Sequence, residues 1–575
     1  MDPASISRPL ALQRHAQAGE TTPGQILVRV ARALGRSRKQ IGEFETAMHE
    51  GLLPGGRILA NAGAQPSREP SATPPTLANC FVHPLGPDGP DLRLALHQIR
   101  RTLVSGGGVG LDLGANGGSP ERAGRRLIRT LRILERLASR LERERERPAA
   151  LMGVLPVEHP ALRALIHAKQ HHHLNHFNLS VAVSDAFLRR VRRDVPDRVL
   201  WLELAQASLA CGDPGVLYID TIRRSDNLGL SEHITACNPC GEQPLPPWGA
   251  CLLASIDLTR VIRSPYTPFA SVDLGALERL TRTGVALLDE AIDHCHFPWP
   301  QQAILARQQR RVGLGLLGLA DALILLGVRY DTAQGRAAAR QIMRTIQWTA
   351  WEASIERARG LGPCPASNPE HLLWPGHSAS RLPPRLHAAI RRYGVRNTHL
   401  TCIAPTGTLS LAWADNASPG IEPVFSPEGR RPRGSAQAPG LLPLTSPALR
   451  RWQAMQEATR RPPCSTSPWP AAWVTRDETP AAAQIAMVGA LQPWVDGGIS
   501  KTLTLGPGCT PEEVAHWYEL AWRCGLKGLT IYQDRPREGD HEARGRLQAC
   551  TCTPASSAMG SRSAQSTFPV FAASP

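Results

Sequence analysis

An α/β protein with mainly parallel strands is the fold class this sequence predicts, and three observations lead there. From Gly56 to about Asp534, short apolar runs of strand length alternate with longer stretches whose apolar residues recur at helical spacing. Residues 277–291 and 337–355 are two such helical stretches. The chain has 575 residues, 42% of them apolar, which is enough for one large barrel or several smaller domains.

In chain order, residues 25–34 carry apolar side chains at helical spacing, so an N-terminal helical region is expected over residues 1–55, with Gly55-Gly56 breaking the helix. The main α/β unit is expected over 56–535. Within it, residues 121–147 are rich in Arg and Glu, with Leu127, Leu131, Leu134, Leu137 and Leu141 on one side, and read as one long amphipathic helix. Residues 426–467 are rich in Pro, Arg and Ser without sustained periodicity and read as a surface insertion. Residues 536–575 turn polar and read as a flexible tail containing Cys550 and Cys552.

The opening residues lack the apolar run of a signal peptide, and no apolar segment is long enough to span a membrane, so a cytoplasmic location is expected. Thirteen cysteines, an odd number, read as free thiols with a few catalytic ones. The net charge of +16 comes almost wholly from arginines spread along the sequence, without an aromatic platform, so nucleic-acid binding is not expected. The positive field favours polyanionic nucleotides. Only Lys39, Lys169, Lys501 and Lys527 are lysines, which marks the last two, each inside a motif, as positions that need an ammonium.

The densest chemistry lies in Asn238-Pro239-Cys240-Gly241-Glu242-Gln243-Pro244-Leu245. On an extended backbone Asn238, Cys240 and Glu242 would share one face, joining a thiol, a carboxylate and an amide. That trio suits sulfur chemistry with a base beside it. By spacing alone, Cys237 and Cys240 could equally be half a zinc site, a redox pair or two buried small residues. Ala404-Pro405-Thr406-Gly407-Thr408 offers backbone N–H groups and hydroxyls in a turn, a cradle for phosphates if a helix follows.

The run from Asn238 through Cys251 to Leu258 resembles the finger loop of ribonucleotide reductase catalytic subunits, specifically the adenosylcobalamin-dependent class II enzymes. Further matches follow in family order. They include Gly56-Arg57-Ile58-Leu59, Leu77-Ala78-Asn79-Cys80-Phe81-Val82, Gly106-Gly107-Gly108-Val109-Gly110, Arg311-Val312-Gly313-Leu314-Gly315, the Ala404 to Thr408 turn, and Gly525-Leu526-Lys527-Gly528 with Tyr532. The resemblance implies a ten-stranded α/β barrel with the Cys240 loop threaded through its centre, and reduction of a ribonucleotide, as the diphosphate, at the 2′ position.

In those terms Cys240 becomes a thiyl radical that takes the 3′ hydrogen, Glu242 accepts the 3′-hydroxyl proton and Asn238 holds the substrate. The resemblance assigns Cys80 and Cys251 to a redox disulfide, which requires their α-carbons within about 7 Å of each other. It places Gly107 and Gly108 in a close turn beside the substrate and the 404–408 turn on its phosphates. Cys550 and Cys552 are candidates to relay electrons from a thioredoxin- or glutaredoxin-type reductant, or to pair with Cys237 and Cys240 around zinc. No residue set is read as a resident metal site.

No glycyl-radical motif is visible and no tyrosine follows Tyr532, so adenosylcobalamin is the expected initiator. A dNTP effector is possible, although Gly- and Thr-rich effector segments and an ATP cone are not recognisable. A monomer or a homodimer fits. The alternatives are a class I-type subunit needing a radical-generating partner, and a silent nucleotide-binding paralogue.

Overall fold

The computed structural model describes residues 7–65, 73–85, 92–114, 118–145, 149–425, 430–432, 441–443, 445–459, 469–506 and 508–533. Three helices open it: α1 (Ser7–His15), α2 (Pro23–Leu34) and α3 (Arg38–Glu50). Thr22 and Gln25 form a capping box at the start of α2, with Pro23 at the first helical position, and Ser37 caps α3. The helical run ends at Gly51, whose φ of +120° excludes most side chains. Gly56 does not break a helix, as expected, but starts one, α4 (Gly56–Asn61).

The strands are β1 (Leu52–Pro54), β2 (Cys80–Pro84), β3 (Gly108–Asp112), β4 (Leu151–Pro156), β5 (Phe177–Val183), β6 (Gly215–Tyr218), β7 (Ala236–Cys237), β8 (Pro244–Leu245) and β9 (Ala250–Asp257). They continue with β10 (Ile262–Arg263), β11 (Ser271–Val272), β12 (Val312–Leu317), β13 (Arg430–Pro432), β14 (Leu441–Pro443), β15 (Thr502–Leu505) and β16 (Gly528–Gln533). Strands β2 to β6 lie side by side in parallel. A second parallel set runs β9, β12, residues 400–403 and then residues 497–505, which include β15, and ends at β16. The two sets meet antiparallel at β6–β16 and at β2–β9, which closes a ring of five plus five staves. Strand β1 pairs with the far end of β9, outside the ring and on the N-terminal side of the expected boundary at residue 55.

All eight residues of β9 are buried because both its faces are covered, outside by helices and inside by the barrel contents. Alternation separates the two sides. Cys80, Val82, Cys237, Cys251, Leu253 and Cys402 belong to a small interior cluster, whereas Phe81, Leu252, Val312 and Leu314 join the main core behind the strands. The helices Leu274–His294 and Ala333–Leu361 pack on each other and back the second half, covering the two helical stretches read from sequence.

The Arg/Glu-rich segment is one helix, α6 (Pro120–Arg145), following α5 (Leu92–Val104). Leu127, Leu131, Leu134 and Leu141 are buried along it. Arg122, Arg125, Arg126, Arg129, Arg132, Arg136, Arg140 and Arg143 are all exposed, on an arc of about 120° at 3.6 residues per turn. Basic charge is therefore gathered here rather than only spread along the chain. The 426–467 segment is not wholly irregular: it holds the β13–β14 hairpin and the helix Pro447–Thr459. That helix is tied down by the Ala448 N–H, which donates to Asp321 Oδ1 at 3.2 Å. Among the described residues no helix is long and apolar enough to cross a membrane.

Candidate active site

Strands β7 and β8 form a short antiparallel hairpin inside the ring, and Asn238 to Gln243 make its tip. The tip is a tight turn, which corrects the extended, alternating backbone expected for Asn238, Cys240 and Glu242. The Asn238 N–H donates to Gln243 O at 3.0 Å and the Gly241 N–H to Asn238 O at 3.1 Å. Pro239 and Gly241, the latter at φ +80°, bring the chain back on itself. The three candidate side chains are thus gathered by a turn and not by strand parity.

Glycines on the surrounding staves admit the hairpin. A Cβ on Gly110 would lie 1.9 Å from Cys237 O, and one on Gly108 would lie 3.1 Å from Pro239 Cγ. From the opposite half, a Cβ on Gly498 would lie 2.7 Å from Gly241 O. Polar anchors complete the seating. Asn178 Nδ2 on β5 donates to Pro239 O at 2.7 Å, and the Gly498 N–H donates to Glu242 O at 2.8 Å. The turn therefore touches both halves of the barrel.

Asn238 and Glu242 are buried, while Cys240 is only half-buried and is the member of the trio within reach from outside. Asn238 Oδ1 accepts the Gln243 N–H at 2.9 Å, and its Nδ2 donates to Cys80 Sγ at 3.1 Å. One amide thus stiffens the turn and links it to Cys80, leaving one Nδ2 hydrogen for a substrate. Cys80 on β2 stands directly opposite Cys251 on β9. Directly opposed residues of antiparallel strands have α-carbons about 4.5–5.5 Å apart, inside the limit for a disulfide. Both are present as thiols.

Burial pushes the Cys251, Cys237 and Cys402 thiols well above their usual range, and the Glu242 carboxylate adds to that effect on each. Cys402 escaped the sequence reading, and so did Gln243, which hydrogen-bonds to it. The available signal was the position of Cys402 two residues before Ala404, with the same strand parity.

Gly107 and Gly108 lie where the chain enters β3, with Gly106 at φ +98° making the turn and Gly108 against Pro239. In the 404–408 segment, Thr406 is left-handed at φ +52° and precedes the helix Gly407–Trp413, as a cradle requires. Thr406 Oγ1 accepts the Gly420 N–H at 2.8 Å, which braces the turn. Lys501 is buried and donates to Glu422 Oε2 and Thr502 O at 2.5 and 2.6 Å. Lys527 is also buried, donating to Asp496 O and Gly497 O at 2.6 and 2.8 Å, and burial lowers its pKa to about 8. Both lysines serve as buried struts, Lys501 on Glu422 and Lys527 on the backbone of Asp496 and Gly497. Cys550 and Cys552 lie outside the described residues, and no metal-holding group of His, Cys, Asp or Glu occurs among those described.

Barrel and site together define a protein that sets a reachable thiol beside a buried pair of opposed thiols. A family model described as the ribonucleotide reductase barrel domain matches residues 78–196 and 192–532. The chain is similar to the vitamin B12-dependent ribonucleoside-diphosphate reductase of Mycobacterium tuberculosis strain H37Rv, at 31% identity over 545 residues, covering 88% of this chain and 72% of the relative. It is similar to the enzyme of that name from Thermoplasma acidophilum at 26% identity, covering 86% of this chain and 65% of the relative. The Actinobacillus ureae class Id ribonucleotide reductase α subunit superposes with a TM-score of 0.70 at 18% identity, covering 92% of this chain and 96% of that one, a likeness of fold. The chain belongs to the ribonucleotide reductase family.

Proposed function

We propose that this protein reduces ribonucleoside diphosphates to 2′-deoxyribonucleotides by thiyl-radical chemistry, with adenosylcobalamin as the initiating cofactor. The observation that carries this reading is the opposition of Cys80 and Cys251 in register, linked by Asn238 to the turn that bears Cys240 and Glu242. The cofactor fits at the reacting atom, since Cys240 is the least buried of the trio. When bound, adenosylcobalamin supplies the radical that turns the Cys240 thiol into a thiyl.

Cys240 then takes the 3′ hydrogen atom of the ribose, and Glu242 takes the 3′-hydroxyl proton. The 2′ C–O bond breaks and the hydroxyl leaves as water with a proton from the thiol pair. The two thiols supply the two electrons and the second thiol hydrogen goes to the 2′ carbon, so Cys80 and Cys251 close their disulfide, Glu242 gives its proton back to the 3′ oxygen, and Cys240 returns the hydrogen atom to the 3′ carbon. Asn238 orients the substrate with its remaining amide hydrogen. The 404–408 turn receives the phosphates, and Gly107 and Gly108 let the backbone come close. A dithiol reductant of thioredoxin or glutaredoxin type reopens the disulfide, with Cys550 and Cys552 as the relay.

Peptide mapping after a single turnover without external reductant tests this reading. One Cys80–Cys251 disulfide per deoxyribonucleotide formed is expected, whereas product with both thiols still reduced would contradict it.

A further inference from the structure

We propose that Arg311 is a positioning residue for the redox pair: its guanidinium holds the Cys251 sulfur as the leaving thiolate when the Cys80–Cys251 disulfide is reopened. The inference rests on the redox role proposed above for those two cysteines.

The register places Arg311 there. Val312 of β12 pairs with Leu252 of β9, so Arg311, one residue earlier, lies beside Cys251 on the neighbouring stave. Val312 and Leu252 both face the outer core, so Arg311 and Cys251 both face the barrel interior. Cys80, Cys251 and Arg311 therefore form one interior row across three adjacent strands. Arg311 is buried, and its Nη1 donates to Pro244 O of the central hairpin at 3.2 Å. Nη2 is paired with Glu232 and lies 3.7 Å from Asp226 Oδ1. Among the described residues its Nε–H has no hydrogen-bond partner. A buried donor without an acceptor is costly, and a guanidinium cannot shed the proton.

A neutral Cys251 thiol is a poor acceptor, and its own hydrogen points to Leu252 O at 3.5 Å. A thiolate at that sulfur would be the acceptor that Nε lacks. The need for it is equally physical: burial holds the Cys251 thiol high, while the Arg311 charge pulls the other way. Exchange is faster when the departing sulfur is the more stable thiolate.

The step balances as follows. A thiolate of the dithiol reductant attacks Cys80 Sγ and forms a mixed disulfide. The Cys80–Cys251 bond breaks, and its electron pair leaves on Cys251 beside Arg311. The reductant's second thiol then displaces Cys80, so the reductant ends as a disulfide and both cysteines, after protonation, as thiols.

The test uses the full chain oxidised with diamide, then dithiothreitol with iodoacetamide quenching, following the Cys251 peptide by mass spectrometry. No cobalamin is needed. Arg311→Met is expected to slow reduction of the disulfide at least tenfold, with Arg311→Lys recovering part of the rate. Glu232→Gln removes the carboxylate that shares the guanidinium charge and is expected to speed reduction severalfold. A structural role alone would slow both or neither. If Arg311→Met does not fold, the other two variants decide, and an unchanged or slower rate in Glu232→Gln overturns the proposal. Wild-type protein that forms no Cys80–Cys251 disulfide overturns the redox-pair reading and this role together. Equal rates in all variants overturn the role of Arg311 alone.

Discussion

The roles proposed for Cys240, Glu242 and Asn238 are separable, and substitution should separate them. Cys240→Ala should abolish deoxyribonucleotide formation while leaving the fold intact. Glu242→Gln removes a general base, so turnover should fall by about 10²- to 10⁴-fold. Steady-state assays on proteins with matched circular dichroism check both, and residual turnover of Cys240→Ala above a few per cent would contradict the radical role. At this scale much was legible, because a motif names its own residues: Cys80, Asn238, Cys240, Glu242 and Cys251 all fall in one barrel interior. An extended backbone does not group the trio. Pro239 and Gly241 favour a turn over an extended strand, and the turn does the gathering. Arg311 was legible as part of a motif and Cys402 by its parity with Ala404, but what each touches depends on which strand lies next to which, and residue spacing along one chain carries no such information.

The elements around the hairpin make two predictions. A methyl on Gly110 would collide with the backbone oxygen of Cys237 at 1.9 Å, a contact no rotamer relieves. Gly110→Ala should therefore push the hairpin from its seat, costing on the order of 1–3 kcal/mol or more and most of the activity, as thermal melts beside assays would reveal. On β2, His83 is buried, and burial lowers its pKa from 6.5 to about 3. The unfolded chain takes up that proton first as the pH falls below 6.5, so stability falls with acidification by up to about 1.4 kcal/mol per pH unit. Melting midpoints between pH 7 and 4.5 should drop, and His83→Gln should flatten the drop; equal slopes in the two proteins would refute the assignment. His15, lowered by burial to about 4, adds in the same direction. The long helices were legible from periodicity. The helix Pro447–Thr459 was not, because its anchors, such as Asp321, lie over a hundred residues away in sequence.

For the whole molecule, the α/β class was readable from alternating patterns, whereas ring closure was not readable from periodicity and came from the family resemblance, whose ten-stranded barrel the structure has. Closure depends on two antiparallel junctions and on residues 400–403, which make few ladder bonds of their own. The gathered arginines of α6 also bear on assembly. None of the eight exposed ones is in an ion pair among the described residues, so two copies meeting through this face would set like charges together. Sedimentation at low salt should show no self-association through α6, and a dimer lost on Arg132→Glu would contradict that. The proposed activity is tested by anaerobic deoxyribonucleotide formation by the purified chain with adenosylcobalamin, dithiothreitol and each ribonucleoside diphosphate. Product that disappears without cobalamin and in Cys240→Ala is the expected result. Well-folded protein that forms no product with any substrate, or that forms it equally well without cobalamin, would contradict the account.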